Sequence, residues 1–237
     1  MFTDIHSHLI YGVDDGAHKR ESMEDMLRNA AIDGIDTIIS TPHMTPGQVK
    51  FDMDTYLRHM DTAREYCEKT GLKLTLYTGA EILYTPDTPR FLREKRVLTL
   101  ADSRYVLIEF MPDATLRHLY DALSRVAGLG LTPIVAHVER YRSVRHVEDL
   151  IEMAEECNAR FQVNARTVLT KHGLLGQRWI NKLLSSGYVS YLATDTHHMP
   201  GRETCMKECY EAFSKLYGEE KAIELMRKNP AQIIEKE

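Results

Sequence analysis

Short runs of β-branched and aromatic residues alternate along this chain with longer stretches whose apolar residues return at helical spacing. The runs Thr3 to His8, Thr37 to Thr41, Leu74 to Ile82, Tyr105 to Phe110, Thr132 to His137, Arg160 to Asn164 and Val189 to Thr194 predict strands. Between them lie amphipathic segments such as Glu21 to Asp33, where Met23, Met26, Leu27, Ala30 and Ala31 recur at i, i+3, i+4, i+7 and i+8 and so define one apolar helical face. Gly34, Gly71, Gly128 and Gly187 stand where these helices should end, the place for a left-handed residue before the next strand. Strict alternation of strand and helix implies parallel strands joined by crossover helices, and helical segments continue from Glu203 to the end. The pattern alone fits either a closed barrel or an open sheet.

The polar residues favour the barrel. Nearly every apolar strand runs into a histidine or an acid: His6 and His8, His43 in STPH, Glu81 in TGAE, Glu109 in LIEF, His137 in IVAH, and Asp195 with His197 in ATDTH. The C-terminal strand ends of a β/α barrel converge on one mouth, so this spread describes a single site. His6 and His8, two apart on one strand, face the same way about 6 to 7 Å apart and can grip one cation. His18, His59, His118, His146 and His172 fall in helical or connecting segments and read as surface or capping residues. His198 competes with His197, and the alternation with Asp195 favours His197. The loops Met44 to Asp52 and Tyr84 to Pro89 are long enough to rim the mouth.

Composition narrows the chemistry. With 43% hydrophobic and 27% charged residues over 237 positions, the chain has the balance of a globular protein that buries a full core, with one domain spanning 1–237. A formal charge of -5 argues against nucleic acid or anionic lipid as partner. No apolar window suggests membrane insertion and no leader precedes the first strand, which predicts a cytoplasmic protein. Cys67, Cys157, Cys205 and Cys209 form no CxxC pair; Cys205 and Cys209, one helical turn apart, read as packed thiols rather than a metal clip. None is followed at the sixth position by arginine, since Lys73, Val163, Glu211 and Lys215 stand there, so a cysteine phosphatase motif is absent. A GxxxxGK[ST] loop is absent as well. Nitrogen and carboxylate donors without thiolate suit manganese, iron or zinc.

Taken together, DIHSH, DDGA, STPH, GAE, LIEF, AHVER and ATDTHHMPGR resemble the polymerase and histidinol phosphatase (PHP) superfamily, and most closely its bacterial protein-tyrosine phosphatases of capsule and exopolysaccharide operons. The resemblance runs from Met1 to about Arg202, with Val138 standing where that branch usually has proline. It implies a distorted (β/α)7 TIM-like barrel, α/β in class, carrying three divalent ions, manganese foremost with iron or zinc as alternatives. Carried over by position, His6, His8, Glu81 and Asp195 would hold one ion. Glu81 would bridge to a second, completed by Glu109 and His137. Asp15, His43 and His197 would hold the third, with Asp14 the alternative to Asp15.

Asp4 would orient a ligand histidine. Arg140 and Arg202 would grip phosphate, and His197 could assist protonation. Three divalent cations against four carboxylates leave a net positive site, suited to a metal-bound hydroxide and a phosphate dianion. The implied function is a phosphotyrosine-protein phosphatase acting on the tail of a bacterial tyrosine kinase. A small-molecule phosphomonoesterase such as histidinol-phosphate phosphatase is the alternative on the same scaffold. A catalytically inactive metal-binding regulatory module, the third reading, would show gaps among the ligands. Tyr11, Asn164 and Arg166 lie near strand ends without an assigned role.

Overall fold

Nine parallel strands are assigned in the computed structural model, which describes residues 1–235. They are β1 (Phe2–Ser7), β2 (Ile35–Ser40), β3 (His43–Met44), β4 (Thr75–Thr78), β5 (Glu81–Leu83), β6 (Tyr105–Glu109), β7 (Thr132–Val135), β8 (Arg160–Asn164) and β9 (Val189–Ala193). A three-stranded sheet runs β1-β2-β4 and a six-stranded sheet runs β3-β5-β6-β7-β8-β9. Two stretches of chain pass from one sheet to the other: β2 continues into β3 through Thr41 and Pro42, and β4 into β5 through Gly79 and Ala80. The other seam closes where His8 N donates to Thr196 O (3.0 Å), Asp195 N donates to His6 O (2.9 Å) and Ser7 bridges Thr196. Counting each bent pair as one, the barrel has seven strand positions.

The expected single strand Leu74 to Ile82 is therefore two. Proline 42 has no N–H for a ladder, and a Cβ on Gly79 would stand 2.8 Å from the Ile39 side chain and 3.0 Å from Leu100, so the bend requires glycine there. The strand expected from Thr37 begins earlier, at Ile35. The loop expected over Tyr84 to Pro89 gives way to a helix at Thr88–Arg93 with proline in its first turn, where the missing N–H costs nothing.

Local chemistry explains the helix limits. Asp52 accepts from Thr55 N (3.0 Å) to start Met53–Thr70, and Gly71 at φ 72° ends it. Gly128, expected to be left-handed, is right-handed at φ -61°. The chain turns two residues later at Gly130, φ 77°. The C-terminal helices start at Met206, later than Glu203, because the Asp33 carboxylate accepts from the backbone N–H groups of Met206 and Lys207.

A large apolar cluster, including Met23, Leu27, Leu119 and Leu183, packs helices onto strands. A smaller one of Ile5, Ile39, Leu107, Ile134 and Tyr191 gathers residues from the strands themselves, with Ile233 of helix Asn229–Ile234 packed against them. Each such side chain contributes roughly 1.5–3 kcal/mol on burial. Among the described residues, no helix is long and apolar enough to cross a membrane.

All four cysteines are unpaired and buried. Burial pushes the Cys205 thiol up to about 12 and raises Cys209 well above the ordinary thiol range, so neither presents a thiolate at neutral pH. Treating the folded protein with iodoacetamide should leave mass and activity unchanged over an hour; rapid labelling with loss of turnover would contradict this.

Candidate metal centre

Metal–donor bonds of about 2.0–2.2 Å place neighbouring donors roughly 3.0–3.6 Å apart around a shared cation. The strand ends meet that spacing. His6 Nε2 and His8 Nε2 lie 3.2 Å from each other, each 3.2 Å from Glu81 Oε2 and each 3.6 Å from Asp195 Oδ1. His43 Nδ1 is 3.1 Å from the same Glu81 oxygen and 3.8 Å from Glu109 Oε2. His137 Nε2 is 2.8 Å from Glu81 Oε1 and 3.5 Å from Glu109 Oε1. Asp15 Oδ1 stands 3.3 Å from both His43 Nε2 and His197 Nε2.

All nine side chains expected to ligate are thus brought to one mouth, with Glu81 at the centre. Their donors are contiguous rather than three separate sets: His8 adjoins Asp15, His43 and His197, while His137 groups with His6 and Asp195. Three of the five histidines read as surface or capping fit that reading, since His18, His118 and His146 are exposed, whereas His172 is half-buried, makes no side-chain cap bond and donates from Nε2 to Thr167 O (2.8 Å). His59 is half-buried too and stacks on Tyr11, donating from Nδ1 to Tyr11 O (2.9 Å). His198 is exposed and His197 buried.

The donor set fits divalent cations. Buried Glu81 Oε2 faces three imidazole nitrogens within 3.2 Å yet makes no hydrogen bond, and buried Nε2 of His197 has none. Burial alone would raise the Glu81 carboxyl, but His6, His137 and His43 overcome it and hold it well below the usual range. Against the penalty of burial, Asp14 and Glu81 push His8 up to about 10, and His6 and His43 are raised by Glu81 in the same way. The field of these acids attracts positive charge. His197, buried and beside His8 and Arg202, is pressed down to about 4.

Two acids of the first loop divide their work. Asp14 Oδ2 accepts from His8 Nδ1 (2.7 Å), which turns His8 Nε2 to the cluster, whereas Asp15, 60% exposed, faces His43 and His197. Gly16 makes this loop possible: a Cβ there would lie 1.9 Å from His8 O. Gly16→Ala should therefore displace both acids, destabilise the protein by about 1–3 kcal/mol and weaken metal binding; an unchanged melting temperature and metal content would show that the loop can yield.

Asp4 differs from expectation. Its carboxylate accepts from Thr194 N (3.0 Å), the Thr194 hydroxyl and His6 N (3.3 Å), with no contact to an imidazole. It staples β1 to β9, and burial lifts it to about 6 against those bonds. Asp195 is held by Arg140 Nη2 (2.8 Å), Arg202 Nη2 (2.7 Å) and Asn164 Nδ2 (2.8 Å). Asp195 and His137 both adopt positive φ, 52° and 31°, a conformation costly outside glycine and present here just past two strand ends of the site. Arg166 donates to Glu203 O (3.0 Å) on the Arg202 loop.

Gln162 is a site residue that the strand-end pattern does not mark. It is fully buried, and its Oε1 accepts from His137 N (2.7 Å) and meets His6 Nδ1 (3.1 Å). The trace is present in RFQVN, where two amides alternate with apolar Phe161 and Val163.

A closed parallel barrel with such a cluster at the strand ends defines a metal-centre hydrolase of the β/α-barrel kind. The fold is shared with the organophosphorus hydrolase of Deinococcus radiodurans, at TM-score 0.62 and 14% identity over 99% of this chain and 93% of that one. More narrowly, the chain belongs to the CpsB/CapC family, described as capsular polysaccharide synthesis, whose model matches residues 2–235. It is 33% identical to the tyrosine-protein phosphatase CpsB of Streptococcus pneumoniae, covering 98% of this chain and 97% of that protein. Identity to the tyrosine-protein phosphatase YwqE of Bacillus subtilis is 28%, covering 92% and 85%. A crystal structure from work on YwqE and CpsB, presented as unique metal-dependent tyrosine phosphatases, superposes with TM-score 0.87 at 26% identity, over 98% of this chain and 94% of that one. The PHP-type resemblance carried by DIHSH and its companions agrees with these findings.

Proposed function

We propose that this chain is a metal-dependent protein-tyrosine phosphatase, and that its substrate is the phosphorylated tail of a bacterial tyrosine kinase in capsule or exopolysaccharide assembly. One observation carries the reading: Glu81 sits within 3.2 Å of four imidazoles, while two arginines meet on the neighbouring Asp195. His6, His8, Glu81 and Asp195, then Glu81, Glu109 and His137, then Asp15, His43 and His197 would hold three divalent ions, manganese foremost. When bound, the ions supply Lewis acidity, polarising phosphoryl oxygens and lowering the pKa of water.

The chain's own residues do the rest. Arg140 and Arg202, with 44% and 31% of their side chains exposed, engage Asp195 through Nη2 and keep other N–H groups for phosphate oxygens. His197 presents an unpartnered Nε2 while Nδ1 faces Asp195 O (3.0 Å), an arrangement suited to ligation and not to donating a proton from Nε2. A phenolate leaving group of pKa ~10 needs little protonation, so a dedicated acid is dispensable. The relatives named tyrosine-protein phosphatases support the phosphotyrosine assignment.

The test compares kcat/KM for a phosphotyrosine peptide with that for histidinol phosphate in manganese. Preference for the peptide by about tenfold or more is expected, a margin that distinct contacts to the leaving group readily supply. Preference for histidinol phosphate would overturn the assignment.

A further inference from the structure

Inside the barrel, four side chains form a hydrogen-bonded line with one possible direction. The His137 backbone N–H can only donate, and it donates to Gln162 Oε1 (2.7 Å), so that atom is the amide oxygen. His6 Nδ1, 3.1 Å from the same oxygen, must then carry the proton, which leaves the His6 Nε2 lone pair facing Glu81, His8 and Asp195. The Gln162 amide nitrogen in turn donates to Asn164 Oδ1 (2.7 Å), and this fixes Asn164 Nδ2 as donor to Asp195 Oδ2 (2.8 Å). Gln162 is 0% and Asn164 5% exposed, so water cannot substitute for either partner.

From this geometry we infer that Gln162 and Asn164 are positioning residues: a backbone N–H of β7's end, acting through two strand amides, sets the His6 tautomer and aims Asp195 at the metal centre. The inference rests on the reading of the cluster as a metal site. Neither residue touches the cluster's shared centre itself. Their effect is to fix which atoms of His6 and Asp195 are free lone pairs, and outer partners of this kind typically govern affinity about 10- to 100-fold.

The experiment uses the full chain loaded with zinc, with ring-15N histidine, and measures zinc affinity by competition alongside detection of the His6 Nδ1 proton. Gln162→Leu should weaken zinc binding on the order of tenfold or more and lose that proton's hydrogen-bonded resonance. Asn164→Leu should weaken binding while keeping the His6 resonance, because Gln162 stays anchored on His137 N. Leu119→Ala, a cavity in the outer core, should lower stability without moving either readout. Affinity within twofold of the parent with an unchanged His6 proton in Gln162→Leu would overturn the proposal, as would loss of the His6 proton in Asn164→Leu. If Gln162→Leu does not fold, Asn164→Leu decides alone, an unchanged affinity overturning the relay. Failure of the parent protein to bind any divalent ion would sink the metal-site reading instead, a distinct result.

Discussion

Glu81→Gln should retain the barrel yet lose both bound metal and turnover, the latter by about 10³-fold or more, equivalent to ~4 kcal/mol of transition-state stabilisation. The carboxylate offers two oxygens to the cluster, Oε1 toward His137 and Oε2 toward His6, His8 and His43. The amide keeps the size but replaces one oxygen with a donor and removes the negative charge that raises the proton affinity of His6 and His8. Elemental analysis of protein purified without chelator, circular dichroism and phosphatase rate form the measurement. A folded variant with full metal content and undiminished rate would remove Glu81 from the centre. Chelation of the parent should likewise abolish activity, with recovery on adding back manganese.

Arg140→Ala should give the opposite split: metal content intact, turnover reduced by about 10²–10³-fold, the scale seen when one charge-stabilising donor is lost. Asp195 keeps Arg202 and Asn164 when Arg140 is removed, so its place in the cluster does not depend on this guanidinium. Arg140→Lys should rescue only part of the loss, because an ammonium cannot reproduce a bidentate fork. Turnover equal to the parent would strip Arg140 of its assigned role, and loss of metal would show that it acts through Asp195.

Why some of this was visible in the residues and some was not follows from range. Strand ends such as ATDTH and IVAH announce themselves because a buried apolar run that stops at a histidine or acid needs a reason, and barrel topology supplies one meeting point for all of them. The bend at Gly79 depends on what Ile39 and Leu100 leave room for, a tertiary fact invisible in a window of nine residues. Asp14 and Asp15 are neighbours of identical chemistry; only the positions of His8 and His43 tell them apart. Asp4 looks from sequence like a group that orients an imidazole, but its partner, Thr194, lies 190 residues away. Gln162 escaped because a polar residue in a strand usually faces water, whereas in a closed barrel the second face is also interior.

The Asp4 staple has a consequence for how the barrel closes. Its two ends of contact come from the first and the last strand of the barrel, and long loop closure of this kind is entropically slow. Since His6 and His8 ride on one side of that seam and Asp195 and His197 on the other, the proposed cation site stays incomplete until β9 docks beside β1. Metal acquisition and final closure should then be a single late event in folding, and refolding yield in vitro is expected to rise with divalent-ion supply.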